Sequence, residues 1–220
     1  TGRYGDEQTL DIAIVGGGAT GVELAAELVH SVSLLNIYGL THLTRERLKV
    51  SLVEAGPRLL PALPEGLAHR VKQKLESLGV NVITGNPAVK AGSDGLTLKD
   101  DAHIDANLMV WAAGIRAPDF LASLGLAHRK NNQLLVNEYL QSTDDPSVYA
   151  LGDCAACAID DDRFVPPRAQ SAHQMAACLA TNIQRELKGR AAKPFKYKDR
   201  GSLVSLSRFS AVGNLMQSKS

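Results

Sequence analysis

Asp11-Ile-Ala-Ile-Val-Gly-Gly-Gly-Ala-Thr-Gly21 constrains this chain more than any other stretch. Ile12 to Val15 make a short apolar run of strand character, and Val22, Leu24, Ala25, Leu28 and Val29 follow at helical spacing. Between the two, Gly16, Gly18 and Gly21 fall at the G-x-G-x-x-G spacing, with Gly17 inside the turn. Strand, glycine turn and helix in that order form a dinucleotide-binding fingerprint. Gly16 is expected to allow the tight turn, Gly18 to bring backbone up to a pyrophosphate, and Gly21 to seat the helix on the strand. The helix start then turns its N–H groups and positive dipole end toward the phosphates. A plain glycine-rich βα turn is the alternative; the agreement of strand, spacing and helix argues against it.

The pattern that follows extends this unit. The first helix is expected over Ala19–Leu35, where Asn36 and Gly39 break it, and Thr41–Arg47 prolongs the connection. Lys49-Val-Ser-Leu-Val-Glu54 is the next strand and ends on an acid. A carboxylate there accepts hydrogen bonds from the adenosine ribose hydroxyls and repels a 2′-phosphate. Glu54 therefore points to NAD rather than NADP, with a solvated strand-end acid as the bland reading. Arg58 lies close by and is expected to be a surface charge rather than a phosphate ligand. Pro64–Leu78 has helical spacing, with Pro64 at its start and Gly79 after its end. Val80–Thr84 reads as a third parallel strand. Runs at Ala88–Ala91, Gly95–Leu98 and His103–Ile104 read as a β-meander, and Asn107–Gly114 as a closing strand. Ala113 and Gly114 at its end suit close approach to a ligand or, equally, tight packing. Together these elements predict an α/β, Rossmann-like NAD(P)-binding domain over residues 9–117, preceded by a polar linker at 1–8.

The remaining residues, 118–220, lack parallel crossovers. Short strands are expected at Leu134–Val136 and Ser147–Leu151, a turn at Asp144-Asp145-Pro146, and a helix over Pro166–Leu187. Gly201–Val212 alternates in the manner of a strand. These pieces look like the closing half of a second domain, expected to expose apolar surface. With no initiator Met, the chain is expected to be part of a longer protein.

Composition narrows the function classes. The net charge of +1 gives no global reason to expect nucleic acid. Three cysteines make no disulfide framework. No apolar run approaches the ~18 residues of a membrane span. Cys154-Ala-Ala-Cys157 has C-x-x-C spacing, but no second pair completes a zinc site. A basic run at Lys188–Arg200 fits a solvated linker or contact with an anionic membrane.

The second half carries a family signal. Tyr149-Ala-Leu-Gly-Asp153 resembles the glycine–aspartate motif of two-dinucleotide-fold flavoproteins, and Ala169-Gln-Ser-Ala-His-Gln174 resembles the A-Q-x-A-x-Q signature of type II NADH:quinone oxidoreductases. Gly201-Ser-Leu-Val-Ser-Leu206 and Phe209-Ser-Ala-Val-Gly213 also resemble the end of that family's flavin domain. The resemblance implies a flavin domain interrupted by an NADH domain, so that residues 118–220 are the C-terminal part of the FAD and quinone domain. It implies Asp153 at the ribityl chain of FAD and Ala169 and Gln170 beside the flavin. Gln170 and Gln174 lie four apart on one helix face, where their amides donate to a flavin or quinone carbonyl. Glu23 is read either as a first-turn acid complementing the helix dipole or, by resemblance, as a group near the nicotinamide and flavin. His173 reads as a structural histidine.

The implied activity is hydride transfer from NADH to FAD and electron transfer to a quinone in the respiratory chain. The family's place is peripheral, on the cytoplasmic face of the inner (plasma) membrane, held by a C-terminal anchor, and a homodimer is possible in it. The first FAD motif is expected to lie outside these residues, so the fragment alone is expected to be inactive. Two alternatives stay open: another pyridine-nucleotide flavoprotein reductase of disulfide or rubredoxin type, and a non-catalytic NADH-sensing module.

Overall fold

The structure, a computed structural model, describes residues 9–39, 44–209 and 211–215. The linker expected at 1–8 and part of the polar stretch near 41 lie outside the described residues. The chain divides into two compact units, one formed by Thr1–Gly114 with Gly201–Ser220 and the other by Ile115–Arg200.

The first unit opens with strand β1 (Leu10–Val15), helix α1 (Ala19–Leu35), strand β2 (Leu48–Glu54), helix α2 (Glu65–Ser77) and strand β3 (Val80–Thr84). A meander of β4 (Ala88–Ala91), β5 (Gly95–Leu98) and β6 (His103–Asp105) follows, then β7 (Leu108–Trp111). The sheet runs β3-β2-β1-β7 and every pair in it is parallel. Side chains alternate across it. Ile12, Ile14, Val50 and Leu52 face one side and are buried with Val22, Ala25, Ala26 and Val29 of α1 and Val71 and Leu75 of α2. Ala13, Val15 and Val53 face the other side, where Leu96, Leu98 and Ala106 of the meander close the second layer. A parallel sheet covered on both faces explains the near-continuous apolar runs of β1 and β2.

The bounds expected for β1 and α1 are met. Pro64 stands outside α2 as its N-cap, with φ −54° and ψ 142°, and Glu65 is the acid of the first turn. β7 is shorter than the expected 107–114. After Trp111 the Ala112 N–H still donates to Val15 O at 2.8 Å, but the chain then leaves the ladder.

The second unit is built on a two-stranded parallel pair, β8 (Leu134–Val136) and β9 (Ala155–Cys157), and on helix α3 (Ala169–Glu186). Its core gathers Leu121, Leu134, Val136, Leu140, Val165, Met175 and Phe195. β9 is not legible in the sequence, because Ala155-Ala-Cys157 has no alternation. The strand expected at Ser147–Leu151 is reduced to one antiparallel bridge, Gln141 to Tyr149. α3 begins three residues later than expected. Each proline of Pro166-Pro167 pushes the residue before it out of the helical region, and Arg168, extended at φ −147° and ψ 152°, is the N-cap from which the helix starts.

The chain ends in a hairpin of β10 (Gly201–Ser205) and β11 (Ala211–Leu215). Sequence reading groups this segment with 118–200; here it packs in the first unit. Val204 and Leu206 are 2% and 0% exposed and lie in the core beside α1 and α2. Truncating a fully buried leucine costs about 2–5 kcal/mol. Leu206→Ala is therefore expected to lower the unfolding free energy of the first unit by that amount, seen as a lower denaturant midpoint, and midpoints read from probes in the two units will show which one carries the loss.

Candidate dinucleotide site and the second unit

At the C-terminal end of β1 each motif glycine has the surroundings its position requires. Gly16 has φ +118°, and a Cβ there would sit 2.7 Å from the backbone of Ala112 and Ala113. At Gly21 a Cβ would sit 1.9 Å from Gly16 O, so helix and strand approach more closely than any side chain permits. At Gly18 a Cβ would meet nothing within 4 Å, so backbone is presented to open space. The first bond of α1 is Val22 N–H to Gly18 O at 3.1 Å. The N–H groups ahead of Val22 have no acceptor in the helix. The first turn of α1 holds no acidic residue. An acid-free helix start whose first N–H groups have no acceptor in the helix suits an anion, and the residues fit the pyrophosphate of a dinucleotide.

Glu54 closes one side of the site. Its Oε2 accepts the Gly17 N–H and its Oε1 accepts the Gly56 N–H, both at 2.6 Å. A carboxylate bonded to backbone amides on both oxygens is held in one orientation. It stands at the end of β2, where a ribose diol is bound in sheets of this topology. Arg58 is not a loose surface charge. Its guanidinium donates to Leu60 O (3.2 Å), Leu63 O (2.9 Å) and Pro61 O (2.8 Å), and these bonds turn it away from phosphate duty. Sequence reading missed this, because no spacing signal marks an arginine that staples its own loop. Ala113 is half-buried and Gly114 exposed, the latter at φ +75°. A cavity of about 610 Å³ lies at the other end of the sheet, beside Arg45, Lys49 and Asn81, away from the glycine loop.

Glu23 is not in the first turn of α1, so the dipole reading does not hold. Its Oε1 accepts the Ser205 N–H at 3.0 Å and ties α1 to the terminal hairpin.

In the second unit a short 3-10 turn, Gly152–Cys154, brings Asp153 against α3. Gly152 has φ +71°; a Cβ there would meet Ala172 at 3.3 Å, and its N–H points to Met175 Sδ at 3.2 Å. Gln133 Nε2 donates to Asp153 O at 2.9 Å and fixes the turn. The exposed Asp153 carboxylate has no hydrogen bond among the described residues, which leaves it free to accept from a hydroxyl-bearing ligand such as a ribityl chain. Ala169 opens α3 and is exposed.

The two glutamines of α3 share a face, as their spacing predicts, but that face is occupied. Gln174 donates to Lys198 O (2.9 Å) and accepts from Lys198 N–H (3.0 Å). Gln170 accepts from Arg200 N–H at 3.0 Å and donates to Asp199 Oδ1 at 3.3 Å. Asn182, two turns further on, repeats the pattern with Lys193 N and O, both at 2.8 Å. Three side-chain amides thus act as a strand edge for the extended segment 193–200. His173 is exposed rather than buried.

The cysteines are all free thiols. Burial, with Glu138 and Cys178 adding to it, pushes the Cys157 thiol up. The raised pKa of Cys157 keeps that thiol protonated and unreactive at neutral pH. Among the described residues no helix is long and apolar enough to cross a membrane.

Two measurements check this geometry. Gln174→Leu removes two hydrogen bonds and is expected to lower stability by about 1–2 kcal/mol while speeding amide exchange at Lys198. Because its raised pKa leaves less thiolate, Cys157 is expected to react with iodoacetamide at pH 8 more slowly than free cysteine, and at the free rate once the chain is unfolded.

Residues 3–176 match the pyridine nucleotide-disulphide oxidoreductase family. Over 211 residues the chain is 49% identical to the type II NADH:quinone oxidoreductase of Haemophilus influenzae, covering 96% of this chain and 48% of that protein. It is 30% identical to that of Staphylococcus aureus over 213 residues, 94% of this chain and 52% of the relative. The chain thus spans about half the length of these relatives. Its fold matches that of NDH2 from Plasmodium falciparum in complex with NADH, with a TM-score of 0.82 at 19% identity, over 98% of this chain and 60% of that one. It also matches a NAD-dependent persulfide reductase from A. fulgidus, with a TM-score of 0.65 at 25% identity, over 91% and 35%. The chain belongs to the pyridine nucleotide-disulphide oxidoreductase family and is similar within it to the type II NADH:quinone oxidoreductases.

Proposed function

We propose that the first unit binds NADH and that the chain is the nucleotide-binding part of an NADH:quinone oxidoreductase acting through FAD. The observation that carries this reading is the glycine loop. Gly16 and Gly21 are closed to any side chain, while Gly18 between them opens outward. In the proposed complex the pyrophosphate lies against Gly17, Gly18 and the start of α1, with Gly16 and Gly21 shaping the turn. The adenosine ribose lies at Glu54, and Ala113 and Gly114 flank the nicotinamide half. Glu54 disfavours a 2′-phosphate by charge, and Arg58 offers it no partner. FAD would supply the hydride acceptor. The unbonded carboxylate of Asp153 supports a flavin contact in the second unit.

Glu23, Gln170 and Gln174 keep their place near the reacting atoms as a proposal resting on the motif resemblance. Each already makes a hydrogen bond within the chain and keeps a further donor or acceptor position for a ligand. We place the parent protein peripherally on the cytoplasmic face of the inner membrane, in the respiratory chain, with quinone as electron acceptor. The 220 residues alone are expected to bind nucleotide without passing electrons. A disulfide reductase is the weaker reading, since the relatives at 49% and 30% identity are type II NADH:quinone oxidoreductases.

Calorimetry with NADH and NADPH tests the nucleotide assignment. NADH is expected to bind and NADPH to bind more weakly. Glu54→Ala should weaken NADH about tenfold or more, equivalent to ~1.4 kcal/mol, and narrow the gap between the nucleotides. Equal affinity for both nucleotides in the wild-type chain would refute the specificity assigned to Glu54.

A further inference from the structure

The loop between β2 and α2 makes contacts that neither the glycine fingerprint nor the strand-end acid accounts for. Leu59 and Leu60 are 1% and 3% exposed, so this loop is driven into the core rather than out to solvent. Leu60 is a non-glycine residue at φ +49°, a left-handed conformation that needs support from its surroundings. The support is visible. Arg58 reaches over the loop and binds the carbonyls of Leu60, Pro61 and Leu63, while Leu63 N–H donates to Leu60 O at 2.9 Å. Held in this way, Leu60 N–H donates to Gly17 O at 2.8 Å.

That last bond has a geometric consequence. The Gly17 carbonyl and the Gly18 N–H belong to one planar trans peptide, so they point in opposite directions. Leu60 draws the carbonyl toward the loop, and the Gly18 N–H is therefore turned away from that loop. Glu54 fixes the preceding peptide through Gly17 N–H. The glycine loop is thus oriented from both sides before any ligand arrives, by the carboxylate on one and by the 58–63 loop on the other.

We propose that Arg58 is a positioning residue of the dinucleotide site: by stapling the loop it sets Leu60, and through Leu60 it aims the Gly18 N–H at the pyrophosphate. This rests on the nucleotide reading above and deepens it. The ligand class is any adenine nucleotide with a pyrophosphate, and the effect is confined to the phosphate-binding part.

The test uses the 220-residue chain, with Arg58→Met keeping the apolar stem and Arg58→Lys keeping charge and a single donor group. ADP-ribose and NADH carry the pyrophosphate; adenosine lacks it. Arg58→Met is expected to weaken ADP-ribose and NADH about tenfold, leave adenosine binding nearly unchanged, and speed amide exchange at Leu60. Arg58→Lys should fall between this variant and the wild type. Unchanged ADP-ribose affinity in Arg58→Met would overturn the proposal, as would an equal loss for adenosine, which would mark a general structural role. A loss confined to NADPH would also overturn it and assign Arg58 to the 2′-phosphate. Should neither variant fold, the wild-type chain decides by NMR: a Gly18 amide signal that moves on adding ADP-ribose, with Leu60 amide protected beforehand, supports the proposal, and an unmoved signal overturns it. A wild-type chain that binds neither NADH nor ADP-ribose refutes the nucleotide reading itself, whereas binding that is indifferent to Arg58 refutes only this assignment.

Discussion

The contact between Gly21 and the Gly16 carbonyl is the constraint on which the first unit depends. A Cβ at position 21 would lie 1.9 Å from that oxygen, so α1 can seat on β1 only because no side chain exists there. Close seating does two things at once. It buries Val22, Ala25 and Ala26 against Ile12, Ile14 and Leu52, and it brings the start of α1 to the end of the sheet. The same approach that completes the core therefore shapes the proposed anion site. A fold held at this point has little freedom to lose the site without losing packing.

Around that contact the polar groups are arranged in a relay. Gly85 N–H binds Gly56 O at 2.7 Å, Gly56 N–H binds Glu54, Glu54 binds Gly17 N–H, and Gly17 O binds Leu60 N–H. Charge-assisted bonds to backbone amides are stronger than neutral ones, and the carboxylate sits in the middle of the series. Its position lets one residue order the glycine loop and, in the proposed complex, set the nucleotide choice. The carboxylate that holds the glycine loop is the same group that would meet a ribose or repel a phosphate.

The second unit is organised by side-chain amides rather than by sheet. Its two strands are three residues each, too short to dominate a core. Gln170, Gln174 and Asn182 supply instead the donors and acceptors that a neighbouring strand would offer to segment 193–200. Glutamine suits this task because one amide group both donates and accepts. The motif that marks the family is thus also a structural device. Phe195, 9% exposed within the unit's core, anchors the segment between its amide partners.

The sequence by itself determined the order of strands and helices through β7, the buried character of β1, and the residues of the glycine turn. These are local matters: period two, period 3.6 and glycine spacing are all written within a few residues of one another. It also carried the family through Asp153, Gln170 and Gln174. Tertiary structure alone decided where the terminal hairpin packs, because Val204 and Leu206 choose their core by three-dimensional proximity and not by neighbours in the chain. It alone showed the glutamines as a strand edge, since a side chain's partner 24 or 29 residues away leaves no mark in local pattern, and it alone showed Arg58 as a loop staple, since bonds to the backbone carbonyls of its own loop need no particular residue types there. The late start of α3 lies between these cases. The prolines that delay it were plain to see, and their effect on the residues before them was the part left out of account.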